Sequence, residues 1–347
     1  MFLLNYIIYY NKSFFHFYHT KAEGLCLKVK EKNRWSDVLY LCPEAESGFC
    51  AFLDSDGVIH ILCADKENRI IYLARKNFEW TKHILTQIKE DIKPIQFKIA
   101  SAGNILNSFY SAKYQDKLIL VHCILGANAK PENIDVLHPD SPEFSVCSNK
   151  IYYTNQNKVL GYRDFSDSKP GIFYEIEKNS IFPYAALIDG KEFLVYKKDD
   201  FLYVNHDRTY LDAHGVTPLI GSKDSRITLQ WKSGNFIRYL TSFNNATTWS
   251  APMRFINNGE ELCRFSVQIG DFVENFYGQN LKNEPVIYGK SNLFFSETPI
   301  IKKQAERFSE EKEPEEYKKL KILIDLQKRE IKTLKSKIKE LENSQSL

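Results

Sequence analysis

Residues 48–86 read GFCAFLDSDGVIHILCADKENRIIYLARKNFEWTKHILT. Four apolar runs, at 49–53, 58–64, 69–74 and 80–86, are separated by three short turns rich in Asp, Asn and Gly. Short runs with many β-branched and aromatic residues, joined by such turns, are typical of antiparallel strands connected as hairpins. The stretch therefore predicts a four-stranded antiparallel meander.

The same four-strand pattern recurs along the first 300 residues. Equivalent apolar residues in the second run of each copy are Phe17, Ile61, Phe109, Tyr153, Val195, Leu229 and Phe276, at intervals of 34 to 48 residues. A four-stranded unit repeated about every 40 residues is the sequence signature of a β-propeller blade. A long β-sandwich also has many short strands, but the repeated unit favours the propeller. We predict an all-β propeller of about seven four-stranded blades over residues 1–300, with six blades as the runner-up.

Composition supports a β-rich globular chain and excludes several functional classes. The 347 residues are 43% hydrophobic, include 20 Tyr and 24 Phe, and carry a net charge of only +3. No concentrated basic stripe occurs, so we expect no nucleic-acid partner. The apolar segment 1–10 is too short to span a membrane, so we expect no membrane association. Seven cysteines without a Cys-x-x-Cys pair predict buried free thiols in a cytoplasmic protein.

One turn carries a family resemblance. Residues 242–249 read SFNNATTW, which resembles the Asp-box of sialidase-type repeat propellers, Ser-x-Asp-x-Gly-x-Thr-Trp. Ser242, Thr248 and Trp249 match this motif, whereas Asn244 replaces its Asp and Ala246 its Gly. The resemblance implies a propeller blade in which this box forms the turn between the third and fourth strands. The box has a structural role in that superfamily and does not itself imply catalysis.

The resemblance does not extend to a sialidase active site. It would imply three arginines on the substrate carboxylate, a Tyr–Glu nucleophile pair and an acidic proton donor. A Tyr-Arg-Ile-Pro-like segment near the N-terminus is missing, and the first arginine is Arg34. Five arginines in predicted strands could in principle converge: Arg163, Arg226, Arg238, Arg254 and Arg264. Since their spacing does not require this, we predict that the chain is not an enzyme.

Two possible metal sites have simpler explanations. His16 and His60 occupy the same slot in the first two repeats, but the later repeats do not continue a histidine ring. Asp54-Ser55-Asp56-Gly57 begins like a calcium loop, but the downstream ligands of an EF-hand are missing. We expect structural histidines, a hairpin turn and no metal or cofactor.

The C-terminal region has a different pattern. Residues 301–316 are charged and predict a linker, and residues 317–343 predict a coiled-coil oligomerisation helix. Its a positions are Tyr317, Ile324, Ile331 and Ile338, and its d positions are Leu320, Gln327, Leu334 and Leu341. Isoleucine at a with leucine at d favours a parallel dimer, although a trimer remains open. Leu323 and Leu326 widen the apolar face, as in a single helix packed on the propeller.

These patterns lead to three functional hypotheses. The first is a non-catalytic homo-oligomeric propeller that acts as a multivalent protein-binding scaffold, because linked copies gain avidity. The second is a lectin-like propeller that binds glycans, and the third is a glycoside hydrolase or lyase with a polar axial site. A scaffold should expose an apolar or charged rim, a lectin should cluster aromatic and amide side chains, and an enzyme should gather acids, His or Arg in the channel.

Overall fold

The structure is a computed structural model that describes residues 3–288, apart from 33, 90–91, 104, 126–130, 167–171, 224–225, 257–261, 271 and 282–283. The chain divides into two units after residue 290, and all described residues belong to the first. The last residues of the predicted propeller (289–300), the linker (301–316) and the coiled coil (317–343) lie outside the described residues.

Five four-stranded sheets follow one another along the chain, and every one is an antiparallel meander. Sheet 2 contains β6 (Ala45–Leu53), β7 (Ile59–Asp65), β8 (Arg69–Lys76) and β9 (Glu79–Gln87). Sheet 3 contains β10 (Ile92–Ala102), β11 (Ile105–Tyr114), β12 (Lys117–Leu125) and β13 (Pro131–Leu137). Sheet 4 contains β14 (Pro139–Cys147), β15 (Lys150–Asn155), β16 (Val159–Asp164) and β17 (Phe173–Lys178). Sheet 5 contains β18 (Ser180–Ile188), β19 (Lys191–Lys198), β20 (Phe201–Val204) and β21 (Asp207–Leu211). Sheet 6 contains β22 (Gly215–Lys223), β23 (Arg226–Ser233), β24 (Phe236–Ser242) and β25 (Met253–Ile256).

The two ends of the described chain share one eight-stranded sheet, here called the closing sheet. Its N-terminal strands are β1 (Leu3–Tyr10), β2 (Ser13–Thr20), β3 (Gly24–Glu31), β4 (Arg34–Trp35) and β5 (Leu39–Cys42). Its C-terminal strands are β26 (Leu262–Ile269), β27 (Phe272–Leu281) and β28 (Glu284–Ile287). The two halves meet where β1 pairs in parallel with β26, from Leu3 opposite Cys263 to Tyr9 opposite Ile269.

The described residues thus form an all-β, propeller-like fold with six sheets, one fewer than the seven predicted repeats. Among the described residues, the first strands of sheets 2 to 6 are not hydrogen-bonded to a neighbouring sheet, whereas β1, the first strand of the first repeat, is hydrogen-bonded to β26, the first strand of the seventh. Pairing of β1 with β26 therefore merges the two repeats into the closing sheet.

Short polar side chains hold the turns that the sequence predicted. In sheet 2, Asp65 ends β7, and its Oδ1 accepts hydrogen bonds from the backbone N–H groups of Glu67 (3.0 Å) and Arg69 (2.9 Å). In sheet 4, Asn155 ends β15 and makes the same kind of bonds with the N–H groups of residues 157 and 159. Because these acceptors stabilise the backbone of the turn, the second strand of each sheet returns directly as the third.

Burial differs between the strands of a sheet. In sheet 2, all seven residues of β7 are buried, whereas β9 is mostly exposed. Aromatic residues fill the core, and the largest fully buried side chain is Trp231. All seven cysteines are free, and six of them are buried. The exposed fourth strands therefore lie outermost, whereas the first strands β1, β6, β10, β14, β18 and β26 all contribute to one internal cavity.

Candidate functional site: the central cavity

A cavity of about 620 Å³ lies among the innermost strands. It is lined by residues of β1, β6, β10, β14, β18, β26 and β27, and we call it the central cavity. Four aromatic side chains contribute to its wall: Tyr6, Phe52, Phe165 and Tyr184. Its polar wall consists of serines, amides and one lysine, Lys98. No Asp, Glu or His lines this cavity among the described residues.

Several polar side chains in the wall have a structural role, because they join neighbouring sheets. Gln268 on β26 accepts the backbone N–H of Leu53 (2.8 Å) and donates to the carbonyl of the same residue (2.6 Å). Ser145 on β14 accepts the backbone N–H of Ala185 on β18 (2.9 Å). These bonds satisfy backbone groups between sheets, so the two side chains are not free to bind a ligand.

Lys98 on β10 has no such role. Its side chain is half-buried, and its Nζ lies 5.8 Å from the ring centroid of Tyr6. No described carboxylate forms an ion pair with it. Burial lowers the pKa of Lys98 to about 8, with a smaller contribution from the charge of Arg264. The lysine is therefore still mostly protonated at neutral pH, although its charge has lost much of its hydration.

Arg264 on β26 is a second cation close to this wall, although it does not itself line the cavity. It lies on the same face of its strand as Ser266 and Gln268, which line the cavity, because side chains alternate along a strand. Its charge acts on the pKa of both Lys98 and Tyr184. Its Nε is buried without a hydrogen-bond partner, and no described carboxylate pairs with it. Lys98 in the wall and Arg264 close to it are thus two cations without a described carboxylate partner.

Two neutral groups beside these cations are also left unsatisfied. The hydroxyl of Tyr6 is buried without a partner, and the whole residue is only 3% exposed. Asn275 on β27 donates through Nδ2 to the hydroxyl of Tyr184 (2.6 Å), but its Oδ1 has no partner. Burial raises the pKa of both tyrosines well above the usual range, so both hydroxyls stay protonated. Buried polar groups are normally hydrogen-bonded, and these exceptions mark a place where a ligand could complete the bonding.

The five strand arginines of the sequence analysis do not converge. None of the five lines the central cavity, and Arg264 alone lies close enough for its charge to act on the pKa of Lys98, which does line it. Arg163 pairs with Asp135 between sheets, and Arg238 lies near Asp212. The other two, Arg226 and Arg254, stack over phenylalanine rings. Sequence reasoning considered Arg264 only as one of these five and did not single out Lys98, since a lone lysine in a strand carries no motif.

The Asp-box-like residues form a hydrogen-bonded turn after β24. Asn244 Oδ1 accepts the backbone N–H of Thr248 (2.9 Å), and Ser242 Oγ accepts that of Ala246 (3.0 Å). Trp249 is half-buried and packs against the core near Ala246. The third strand of this sheet ends at Ser242, and the fourth, β25, begins only at Met253. Residues 243–252 therefore lie outside the sheet, and none of the box residues lines the central cavity.

Each of the two predicted structural histidines, His16 and His60, forms a hydrogen bond with a nearby polar side chain. His16 is fully buried, and its Nε2 donates to Asn5 Oδ1 (3.2 Å). His60 Nε2 donates to Asp54 Oδ2 (2.9 Å), and Asp54 also accepts the backbone N–H of Val58 in the hairpin turn.

No group of three or more potential metal ligands occurs among the described residues. In that same part of the chain, no helix is long and apolar enough to cross a membrane.

The outer strands carry exposed apolar side chains, which we call the rim row. Each of six outer strands contributes at least one: Tyr40 on β5, Ile84 on β9, Val136 on β13, Tyr174 on β17, Leu211 on β21 and Met253 on β25. Their exposed fractions lie between 40% and 58%. Single exposed apolar residues are common, but one at the edge of each successive sheet forms a repeated feature.

Comparison with known proteins identifies no family. No protein-family model matches the chain, and no curated protein matches it. The resemblance of residues 242–249 to the sialidase-type box therefore rests on that segment alone.

Several solved structures are similar in fold. AofleA from Arthrobotrys oligospora is 13% identical, with a TM-score of 0.47 over 82% of this chain and 82% of its own. The fucose-specific lectin from Aleuria aurantia is 10% identical, with a TM-score of 0.44 over 83% of this chain and 92% of its own. BBS1N, in its complex with ARL6DN, is 11% identical, with a TM-score of 0.48 over 68% of this chain and 77% of its own. Such distant likenesses carry no argument about function.

Proposed function

We propose that this chain is a non-enzymatic, lectin-like binding protein that holds a small glycan in its central cavity. The observation that carries the proposal is the composition of the cavity wall. Aromatic rings, hydroxyls and amides surround about 620 Å³, which lies within the usual range for small-molecule sites. A sugar presents apolar C–H faces and polar hydroxyl edges, and this wall offers partners for both.

The same wall argues against catalysis. Glycoside hydrolysis usually needs two carboxyl groups beside the scissile bond, one of them as general acid. The described lining residues include no carboxyl group and no histidine. We therefore propose binding without turnover. The check is to incubate a bound glycan with the full chain and look for cleavage products by mass spectrometry.

A matched pair of tyrosine variants tests the cavity as the binding site. Tyr6 lines the cavity with an unpartnered hydroxyl, whereas Tyr18 has an unpartnered buried hydroxyl elsewhere. After screening the full chain on a glycan array, affinities for the best ligand are measured by calorimetry for Tyr6→Phe and Tyr18→Phe. We expect Tyr6→Phe to weaken binding about 5- to 10-fold, the value of one lost hydrogen bond, and Tyr18→Phe to have no effect.

Neither substitution removes a hydrogen bond from the free protein, so both should leave the midpoint of thermal unfolding within a few degrees of wild type. Equal effects of the two variants on affinity would place the glycan outside the cavity. No glycan retained by the array or in solution would contradict the proposed function itself.

We further propose that the chain self-associates through residues 317–343, as a parallel dimer or a trimer. Several linked cavities would bind a surface of repeated glycans with higher avidity than one. The molar mass in solution, measured by light scattering for the full chain and for a chain ending at residue 301, tests this. A monomeric full chain would contradict self-association without affecting the cavity.

The rim row supports a second candidate, the protein-binding scaffold. Exposed apolar side chains at successive sheet edges could contact a protein partner along the rim. The substitutions Ile84→Thr, Tyr174→Thr and Leu211→Thr, combined in the full chain, would remove three of these contacts and keep β-forming side chains. We expect a specific partner recovered with wild type to be lost with this variant and kept by Tyr6→Phe. Partners that bind both variants equally would contradict a role for the rim.

A further inference from the structure

Two cations without counter-charges lie beside the central cavity. Two other half-buried cations between sheets have acidic partners: Lys150 has Glu192 and Arg163 has Asp135. Lys98 and Arg264 have none. Burying a charge without a partner costs free energy, and the usual compensation is a carboxylate or a bound anion.

A second and independent observation concerns neutral groups around the same place. Tyr6 is 3% exposed and keeps a hydroxyl proton without an acceptor, and its ring centroid lies 5.8 Å from the Lys98 Nζ. An ammonium and a phenol thus provide donors in the wall, while no described acidic residue lines the cavity. An oxygen atom that carries negative charge would satisfy both, and the charge of the nearby Arg264 would stabilise it further.

We propose that the ligand of the central cavity is a glycan bearing an oxyanion, a carboxylate or a sulfate, which Lys98 binds and which the nearby charge of Arg264 stabilises. The proposal rests on the glycan-binding function proposed above and specifies its ligand. The Tyr6 hydroxyl donates to the same anion, and Asn275 Oδ1 accepts from a hydroxyl of the sugar. The neutral part of the glycan lies against the aromatic wall.

The experiment uses calorimetry on the full chain with four probes. These are a neutral disaccharide, a disaccharide of equal length containing a uronic acid, a sulfated disaccharide, and sodium sulfate alone. A hydrogen bond to a charged group contributes more than a neutral one, so we expect an acidic probe to bind about 10- to 100-fold more tightly than the neutral one. Comparing the uronic-acid disaccharide with the sulfated disaccharide shows whether the site prefers a carboxylate or a sulfate.

Variants identify the groups that bind the charge. Lys98→Met should remove about tenfold or more of the affinity for the acidic probe and leave that for the neutral probe nearly unchanged, and Arg264→Met should have a smaller effect in the same direction. Lys98→Arg should retain most of it, because the charge is kept. The control is Lys113→Met, which removes an exposed lysine from the neighbouring strand β11. Thermal unfolding of each variant verifies that it is folded.

The pH dependence gives a second readout. Lys98 faces Tyr6 on β1, Cys50 on β6 and Arg264 on β26. Burial raises the pKa of Cys50 to about 12 and holds that of Tyr6 well above its ordinary value, so Lys98 alone among them titrates near pH 8. Affinity for the acidic probe should be constant below about pH 8 and fall by up to tenfold per pH unit above it, with proton uptake on binding. The neutral probe should show no such fall.

The outcomes separate the two proposals. Equal binding of acidic and neutral disaccharides, unaffected by Lys98→Met, would overturn the oxyanion and leave the glycan function standing. Binding of sulfate that depends on Lys98, without binding of any disaccharide, would support an anion site and overturn the glycan function. No heat with any probe would overturn both.

Discussion

Cations between neighbouring sheets and cations at the central cavity differ in their partners. Lys150 on β15 reaches Glu192 on β19 at 3.2 Å, and Arg163 on β16 pairs with Asp135 on β13. Lys98 and Arg264 are also half-buried, yet no described carboxylate pairs with either. The paired cations help to align the sheets, whereas the unpaired cations weaken the free protein and are explained best by a ligand.

The largest effect is expected when acid protonates buried histidines, because this creates new cations without partners in the core. Burial lowers the pKa of His16 to about 3 and that of His122 to about 4. Each donates through Nε2 to an asparagine, Asn5 or Asn107, and no described acceptor bonds to the second ring nitrogen of His16. Their ordinary pKa is about 6.5 in the unfolded chain, so the unfolded state binds protons first as the pH falls. The stabilisation is complete above about pH 6.5 and is lost progressively towards pH 3 to 4.

We therefore expect the free energy of unfolding to fall by about 2–3 kcal/mol per pH unit between about pH 6 and 4 from these two histidines together. Urea unfolding at several pH values measures this slope. Substituting both by glutamine, which keeps an N–H donor, should remove most of it, and His83→Gln on the exposed face of β9 should not. An unchanged slope in the double variant would mean that the histidines are charged in the folded state without cost.

A smaller effect of opposite sign is expected when an unpaired cation is removed. Because the pKa of Lys98 is lowered to about 8 from 10.5, the folded protein binds fewer protons than the unfolded chain between those values. Wild-type stability should rise with pH across this window. Lys98→Met should raise the free energy of unfolding at pH 7 by about 1–3 kcal/mol and abolish the rise. A destabilised Lys98→Met would indicate that the amine has a partner in the folded state.

The smallest effect is expected for a paired cation. Lys150 and Glu192 are 30% and 23% exposed in their side chains, so solvent screens their attraction. A double-mutant cycle with Lys150→Met and Glu192→Gln should give a coupling energy of about 0.2–1 kcal/mol. Glutamine keeps an acceptor for the Tyr152 hydroxyl, which bonds to the same carboxylate oxygen. A coupling energy larger than the change in free energy of unfolding caused by Lys98→Met would contradict this order of effects.

Most strands could be predicted from sequence because their signals are local. Runs such as 69–74 alternate with turn residues such as Asp65 and Asn68, and the structure places β8 at Arg69–Lys76 between those turns. The Asp-box-like turn could be located for the same reason. Its length could not, because Trp249 is as suitable for a strand as for the half-buried position it occupies in the loop.

The closing sheet and the candidate site depend on distant parts of the chain. Nothing in residues 3–10 indicates whether their free edge will pair with a strand near residue 265. Lys98 and Arg264 lie on different strands, and each looks like an ordinary surface cation in its local sequence. Their common position follows only once the order of sheets and the inward face of each first strand are known. The coiled coil at 317–343 remains a prediction.

The parallel pairing of β1 with β26 also has a consequence for synthesis of the protein. Translation runs from the N-terminus, so β1 leaves the ribosome long before its partner, which lies more than 250 residues later. Sheets 2 to 6 can form in turn while the edge of β1 is still exposed, and exposed strand edges favour wrong association. A nascent chain that stalls before residue 262 would therefore present this edge to other chains, and the last repeat to be made protects the first.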